Sequence, residues 1–276
     1  MTTPITGING AVDGVPGVVN WNVSETPNLQ SRGNSSVAGS VITKTGVKDW
    51  SGTYEAEGGA PVHMPGETFT FTGSADGSVG ATGPAIVESV TINWDWENDA
   101  MLGHSVNFAG NGALTRGVAA AVDASVTIPT MSSVCDIMTG TLVAVPVWTA
   151  LEHLRTASLT ITAANTLQKT SDTAGWTKRN AGPVTANGSI SVFTDSPANP
   201  LDPGDENGLK MYVSATAFWQ LLWAKWGEMS DIRVDTNTGD ILGCTLNFQF
   251  TAAVLIATVA TKGSITEPDT NVFWGS

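Results

Sequence analysis

The sequence predicts an all-β protein: tandem duplicated β-sandwich or β-barrel domains with one or two short helices and an extended N-terminal arm. Three observations predict it. β-Branched residues recur in short alternating runs broken by Gly, Asn, Asp or Pro about every ten residues, the pattern of a sandwich or barrel. The chain resembles itself: Ile92-Asn93-Trp94-Asp95 runs on to Leu102-Gly103 and Asn107-Phe108, while Ile232-Arg233-Val234-Asp235 runs on to Leu242-Gly243 and Asn247-Phe248 at one offset (232 − 92 = 248 − 108 = 140). That period exceeds the roughly 20–50 residues of a solenoid repeat, so a whole domain is copied and fused. Finally, 276 residues can hold two cores of ordinary domain size.

Residues 1–17, rich in Gly and Pro and without periodicity, read as an extended arm. The first β-domain, residues 18–112, opens with Val19, Trp21 and Val23 on one strand face. Trp50, Gly52 and Tyr54 share a face later, as do Phe69 and Phe71. Gly77–Gly83 reads as a flexible loop, and Trp96-Glu97-Asn98-Asp99 as the turn of the hairpin ending in Phe108. An inter-repeat segment, residues 113–155, supplies a last strand to the first domain. It ends in a predicted short helix over 146–157, where Val147, Trp148, Leu151 and Leu154 recur at helical spacing.

The second β-domain and C-terminal tail occupy residues 156–276. Here Leu159-Thr160-Ile161 answers Trp21-Asn22-Val23 (159 − 21 = 138), and Leu209-Lys210-Met211 answers Phe69-Thr70-Phe71 at the longer offset. Asp235–Asp240 forms the second hairpin turn. Residues 217–226, with Trp219, Trp223 and Trp226, fit a buried strand or a helix equally, and serve either the core or an interface. Phe108 and Phe248 end equivalent strands and are predicted to be equivalent core anchors.

Composition narrows the function. Only 13% of residues are charged, so much of the surface is Thr, Ser, Asn and Gly, which suits close subunit contact. A net charge of −13, from 25 acidic and 12 basic residues, opposes a groove that grips nucleic acid by its phosphates. Met1–Thr6 carries no basic or apolar leader pattern, and no apolar run reaches the roughly 18 residues of a membrane span, so neither export nor a membrane anchor is expected. Cys135 and Cys244 lack metal-like or disulfide-framework spacing and read as inert thiols.

No catalytic, cofactor-binding or metal-binding residue is predicted. The three histidines His63, His104 and His153 form no H-x-x-x-H pattern; no G-x-S-x-G elbow or phosphate loop is present. Asp202–Gly208 lacks the ligand spacing of a calcium loop and reads as a solvated turn. Asp95, Glu97 and Asp99 alternate as on a solvated face, and only Asp95 is matched in the second copy, by Asp235.

Taken with the arm, the β-rich copies and the acidic balance, the order of parts resembles the major tail tube proteins of long-tailed bacteriophages. The resemblance is carried by a Trp- or Leu-bearing first strand, Asp49-Trp50-Ser51-Gly52-Thr53-Tyr54, Phe69-Thr70-Phe71, and the Asp95 and Asp235 hairpins ending in Asn107-Phe108 and Asn247-Phe248; it covers most of residues 18–250. It implies a virion structural protein, made in the host cytoplasm, whose rings stack into a tail tube for genome ejection. The implied partners are further copies of itself, other tail proteins, and DNA passing without specific binding. A single domain is the commoner form in that family, so a duplicated chain implies three chains per ring with pseudo-sixfold symmetry. A carboxylate-lined bore would repel phosphate. Two other readings share these features: a capsid decoration protein, and a tail-tip carbohydrate-binding or adhesion module whose exposed Trp residues stack on sugars.

Overall fold

The computed structural model describes residues 10–33, 41–58, 61–75, 80–118, 130–140, 147–169, 174–193, 204–214, 217–233, 243–250 and 254–258. These residues are nearly all strand. The first half contains β1 (Ala11–Val12), β2 (Val18–Gly33), β3 (Val41–Glu57), β4 (Thr68–Ser74), β5 (Gly80–Asp95), β6 (Gly103–Gly110) and β7 (Thr115–Val118). After a 3-10 turn at Ser132–Val134 follow β8 (Ile137–Gly140) and β9 (Trp148–Ala150). The second half contains β10 (Leu154–Ala163), β11 (Thr166–Gln168), β12 (Lys178–Asn180), β13 (Val184–Phe193), β14 (Glu206–Tyr212), β15 (Ala217–Arg233), β16 (Gly243–Phe250) and β17 (Val254–Thr258). No helix among the described residues is long and apolar enough to cross a membrane.

The strand order of the second half repeats that of the first. In the first, β2-β3-β6-β5 run side by side, β4 adds to β5, β1 to β4, and β7 to β5. In the second, β10-β13-β16-β15 run side by side, β14 adds to β15, β8 to β14, and β17 to β15. Register repeats as well: Gly52 faces Phe108 and Gly188 faces Phe248. Val23 opposite Gly52 and Leu159 opposite Gly188 place β2 on β10 at an offset of 136 (159 − 23), which corrects the 138 read from sequence. Both offsets preserve the side-chain face, because side chains alternate with a period of two.

Each half folds a smaller layer over the main one. Phe71 on β4 stacks on Phe108 at 4.7 Å between ring centroids and meets Trp50 at 6.3 Å and Trp21 at 5.7 Å. β5 reaches both layers: Gly80–Ile86 pairs with β4 and Ser89–Asp95 with β10, with a register shift between Val87 and Ser89. A bulge there bends the strand from one layer to the next. The apolar interior is continuous, running from Trp50, Tyr54 and Phe71 through Ile92 and Trp94 to Leu159, Ile190, Leu246 and Phe248. Two separate cores are therefore replaced by one. Ile92 opposite Leu159 and Val90 opposite Ile161 seal the joint between halves, and Trp94 Nε1 donates to the Tyr212 carbonyl across it at 2.7 Å.

Several expectations are corrected. The helix over 146–157 is absent: Trp148–Ala150 pairs with Ile137–Gly140, and His153 has φ of 57°, which a helix does not tolerate. Trp148 covers Gly140 and Gly208 and stacks under the Lys210 ammonium at 4.2 Å, so its helical spacing reflects packing on a strand. Residues 80–83 of the glycine-rich stretch are strand rather than loop. A Cβ on Gly83 would lie 2.9 Å from the Trp50 ring, so glycine there serves close packing. The arm is not free throughout, since Val12 and Val15 are buried. Val19 faces solvent because a bulge between Val18 and Asn20 turns Val18 inward with Trp21 and Val23. Residues 217–226 are strand; the Asp235–Asp240 turn lies outside the described residues.

Candidate functional site

Alternation on the adjacent strands β2-β3-β6-β5-β10-β13-β16 sends every second side chain into the core and the others to one broad outer face, and β15 continues the sheet beside β16. One register row crosses all eight. Asn20 stands opposite Glu55, Glu55 opposite Ser105, and Ser105 opposite Thr91. Thr91 then faces Thr160, Thr160 faces Asn187, Asn187 faces Gln249, and Gln249 is in register with Lys225. Neighbouring rows repeat the chemistry, with Asn22, Thr53, Asn107, Ser89 and Thr162 on one side and Asn93, Ser158, Ser189 and Asn247 on the other.

These side chains bond to one another across the strands. Thr91 and Thr160 hydroxyls lie 3.2 Å apart, Ser158 and Ser189 3.0 Å, and Ser191 and Thr245 2.7 Å, while Asn107 Nδ2 donates to Ser89 at 2.9 Å. Such ladders consume the donors of the face locally. Two open depressions, about 370 and 390 Å³, mark it: one beside Asn22, Glu88 and Asn107, the other beside Glu55, Glu57 and Asp95. The acidic residues thus lie on the first-half strands, and the Thr, Ser and Asn residues that β10 and β13 add to the face are uncharged.

The face ends on two unmatched edges. Among the described residues β2 pairs only with β3. On β15, β14 pairs with residues up to Lys225, and among the described residues no strand continues along that edge beside 226–233. On β5 the corresponding edge is filled by β10.

Where the halves meet, the second reaches back over the first. Residues 175–177 lie beside β3: the Lys48 amide donates to the Gly175 carbonyl at 2.7 Å, and the Thr177 amide donates to the Lys48 carbonyl at 3.1 Å. Arg179 grips Asp49 through Nη1 at 2.9 Å and Nη2 at 2.7 Å, and Thr177 Oγ1 donates to the same carboxylate at 2.6 Å. Burial works against ionisation of Asp49, but the Arg179 bonds and charge, with Thr177 and the Trp50 amide, outweigh it and hold the carboxyl below its ordinary range.

The alternating carboxylates have structural partners. Asp95 accepts from the Asn98 side chain at 2.7 Å and its amide at 3.0 Å, which lowers its pKa and shapes the turn. Glu97 forks onto Arg155 at 2.9 and 3.0 Å, and Asp99 accepts the Ser133 amide. Asp95 thus closes the β5–β6 turn, and Glu97 and Asp99 pin it to the segment joining the halves. His104 sits buried opposite Ala56, and burial, against a weaker backbone contact from Gly58, pushes it down to about 4. Cys135 is buried, and Cys244 stands opposite Val192. No group of three His, Cys, Asp or Glu able to hold a metal occurs among the described residues.

The chain matches no protein-family model and no curated protein. The uncharged face and the Asp49–Thr177–Arg179 clamp were not read from sequence. The face was available in the Ser, Thr and Asn residues that alternate with core positions. The clamp had no local signal, since its partners lie 128 and 130 positions apart.

Proposed function

We propose that this protein is a virion structural protein, a tail tube subunit of duplicated-domain form, whose rings stack into a conduit for the genome. The observation that carries the reading is the broad hydroxyl- and amide-rich face, where no strand among the described residues covers the β2 edge or the β15 edge beside 226–233. A sheet of that kind closes on itself only through further copies. Closure places its hydroxyl and amide face toward a shared axis, and three chains would supply six similar halves. A lining of this chemistry suits passage: no array of Lys or Arg neutralises phosphates, so DNA slides without being held. The carboxylates sit on the first-half strands, in two depressions, so the acidic bore expected from total charge is narrowed to acidic patches. The protein carries no catalytic role in this reading, and its place is the virion tail.

Electron microscopy of the purified protein tests it. Tubes or stacked rings with a hollow axis are expected. Monodisperse particles at all concentrations and salt conditions would reject the tube, and affinity for a capsid lattice or glycan would replace it with the decoration or adhesion reading.

A further inference from the structure

We propose that residues 61–67 form an acid-released flap over the core of the first half, with Tyr54, His63 and His104 as its trigger. The segment joins β3 to β4 and is held by packing as well as by hydrogen bonds. Pro61 and Pro65 are buried, and Met64 packs against the core. The Gly66 amide donates to the Val87 carbonyl, and the Val87 amide to the Glu67 carbonyl, each at 2.9 Å. His63 stacks on Phe69 at 4.1 Å between ring centroids and meets the Tyr54 ring edge-on at 6.3 Å. His104 meets the same tyrosine ring at 6.4 Å.

These three neighbouring rings carry four buried polar atoms without a hydrogen-bond partner: Tyr54 Oη, His63 Nδ1 and both ring nitrogens of His104. Buried polar groups in this state cost stability, and the second half shows that the fold does not require them. Through Gly52 and Gly188, Tyr54 corresponds to Ile190, and His104 opposite Ala56 corresponds to Cys244 opposite Val192. An aliphatic side chain and a thiol serve there in the same strand positions. The polar cluster is therefore particular to the first half.

Protonation is what the cluster cannot accommodate, because a buried charge without a partner costs far more than a buried neutral group. Burial holds both histidines below their ordinary range, His104 at about 4, where a Gly58 backbone contact opposes it too weakly to reverse the direction. Glu67, on the segment itself, is the charged group that acts on the cluster. Its carboxylate lies 4.0 Å from His63 Nδ1, and burial outweighs its attraction for a protonated His63. The neighbours that β4, β5 and β6 supply are the apolar Phe69, Ile92 and Val106. Opening gives the imidazoles to water, so the closed form is fully favoured above about pH 6.5 and loses that advantage as pH falls toward 4.

Hydrogen exchange on the purified chain tests the flap, with rates converted to protection factors so that the intrinsic pH dependence of exchange drops out. The amides of Met64, Gly66 and Glu67 are hydrogen-bonded in the closed form. They should lose protection on the order of 100-fold between pH 7 and pH 4, while β13 and β16 keep theirs, and return to pH 7 should restore it. His104→Cys, the residue of the second half, combined with His63→Gln should keep these amides protected at pH 4. Unchanged protection in the unsubstituted chain overturns the flap. A loss shared equally by β13 and β16, which is unfolding of the whole chain, overturns it too, as does a doubly substituted chain that opens as before. Should that variant fail to fold, the imidazole resonances of the unsubstituted chain decide. His63 and His104 should titrate in step with the loss of protection, and titration at the ordinary histidine value with the amides still protected overturns the trigger.

Discussion

Phe108 and Phe248 each lie across a strand from a glycine, and that pairing explains why the glycines cannot be replaced. A Cβ on Gly52 would stand 2.5 Å from the Asn22 carbonyl oxygen and 2.6 Å from the Phe108 ring; one on Gly188 would stand 2.5 Å from the Phe248 ring and closer still to the Ser158 carbonyl. Backbone on one side and a fully buried ring on the other leave no direction of relief. Gly52→Ala and Gly188→Ala should each destabilise by about 1–3 kcal/mol, and Phe108→Ala or Phe248→Ala by about 3–5 kcal/mol, measured by denaturant unfolding. His104 gives a pH signature at the same scale. Its folded pKa, about 4, lies below the ordinary histidine value, so the unfolded chain binds the extra proton first. Its contribution is fully present above about pH 6.5 and is lost as pH falls toward 4. His104→Cys, which copies Cys244 at the equivalent position, should flatten the stability profile over that window.

At the scale of elements, the strap ending in β12 is held by Arg179, which pairs with Asp49 at 2.7 Å and with Glu88 at 3.8 Å, and by hydrogen bonds. Arg179→Met leaves Asp49 with less compensation for its burial and should cost about 1.5–3 kcal/mol, the range for hydrogen bonds to charged groups. The loss should appear in a melting curve together with faster proteolysis between residues 164 and 183. Asp49→Ala combined with Arg179→Met should cost less than the two separate losses added. The N-terminal segment is likewise held by contact. A cut through residue 16 removes the buried Val12 and Val15 and should lower the melting temperature. Strand identity was legible wherever a half-buried sheet imposes alternation, as in Trp50, Gly52 and Tyr54. It failed at Val147–Leu154, where contacts with distant strands override a short helical spacing, and at Val19, where a bulge shifts the face by one residue.

Apart from the β11-β12 ladder, the described strands belong to one sheet. On the tube reading, three chains contributing eight strands each would make a barrel of twenty-four. With strands about 4.8 Å apart and tilted about 40° from the axis, the backbone circumference is about 150 Å and the diameter about 48 Å. Six chains would double both, so one averaged end-on image of a ring distinguishes the two stoichiometries, and a solid cross-section would dismiss the conduit. The offset read in the sequence has a counterpart in the strand order, which runs alike in the two halves. The chemistry of the outer face did not follow from the net charge of −13, because total charge does not say which face carries it. That distinction yields the last prediction. If an uncharged lining is what lets DNA pass, adding cations at its centre should make the tube hold what it now releases. Thr160→Lys places one ammonium per chain in the middle of the face, three strands from Glu55 in the same register row. Tubes of this variant should retain duplex DNA at low salt and release it as salt rises, because each phosphate contact displaces condensed counterions. Tubes of the unsubstituted chain should show no such retention at any salt. Equal behaviour of the two would mean that this face does not meet the DNA.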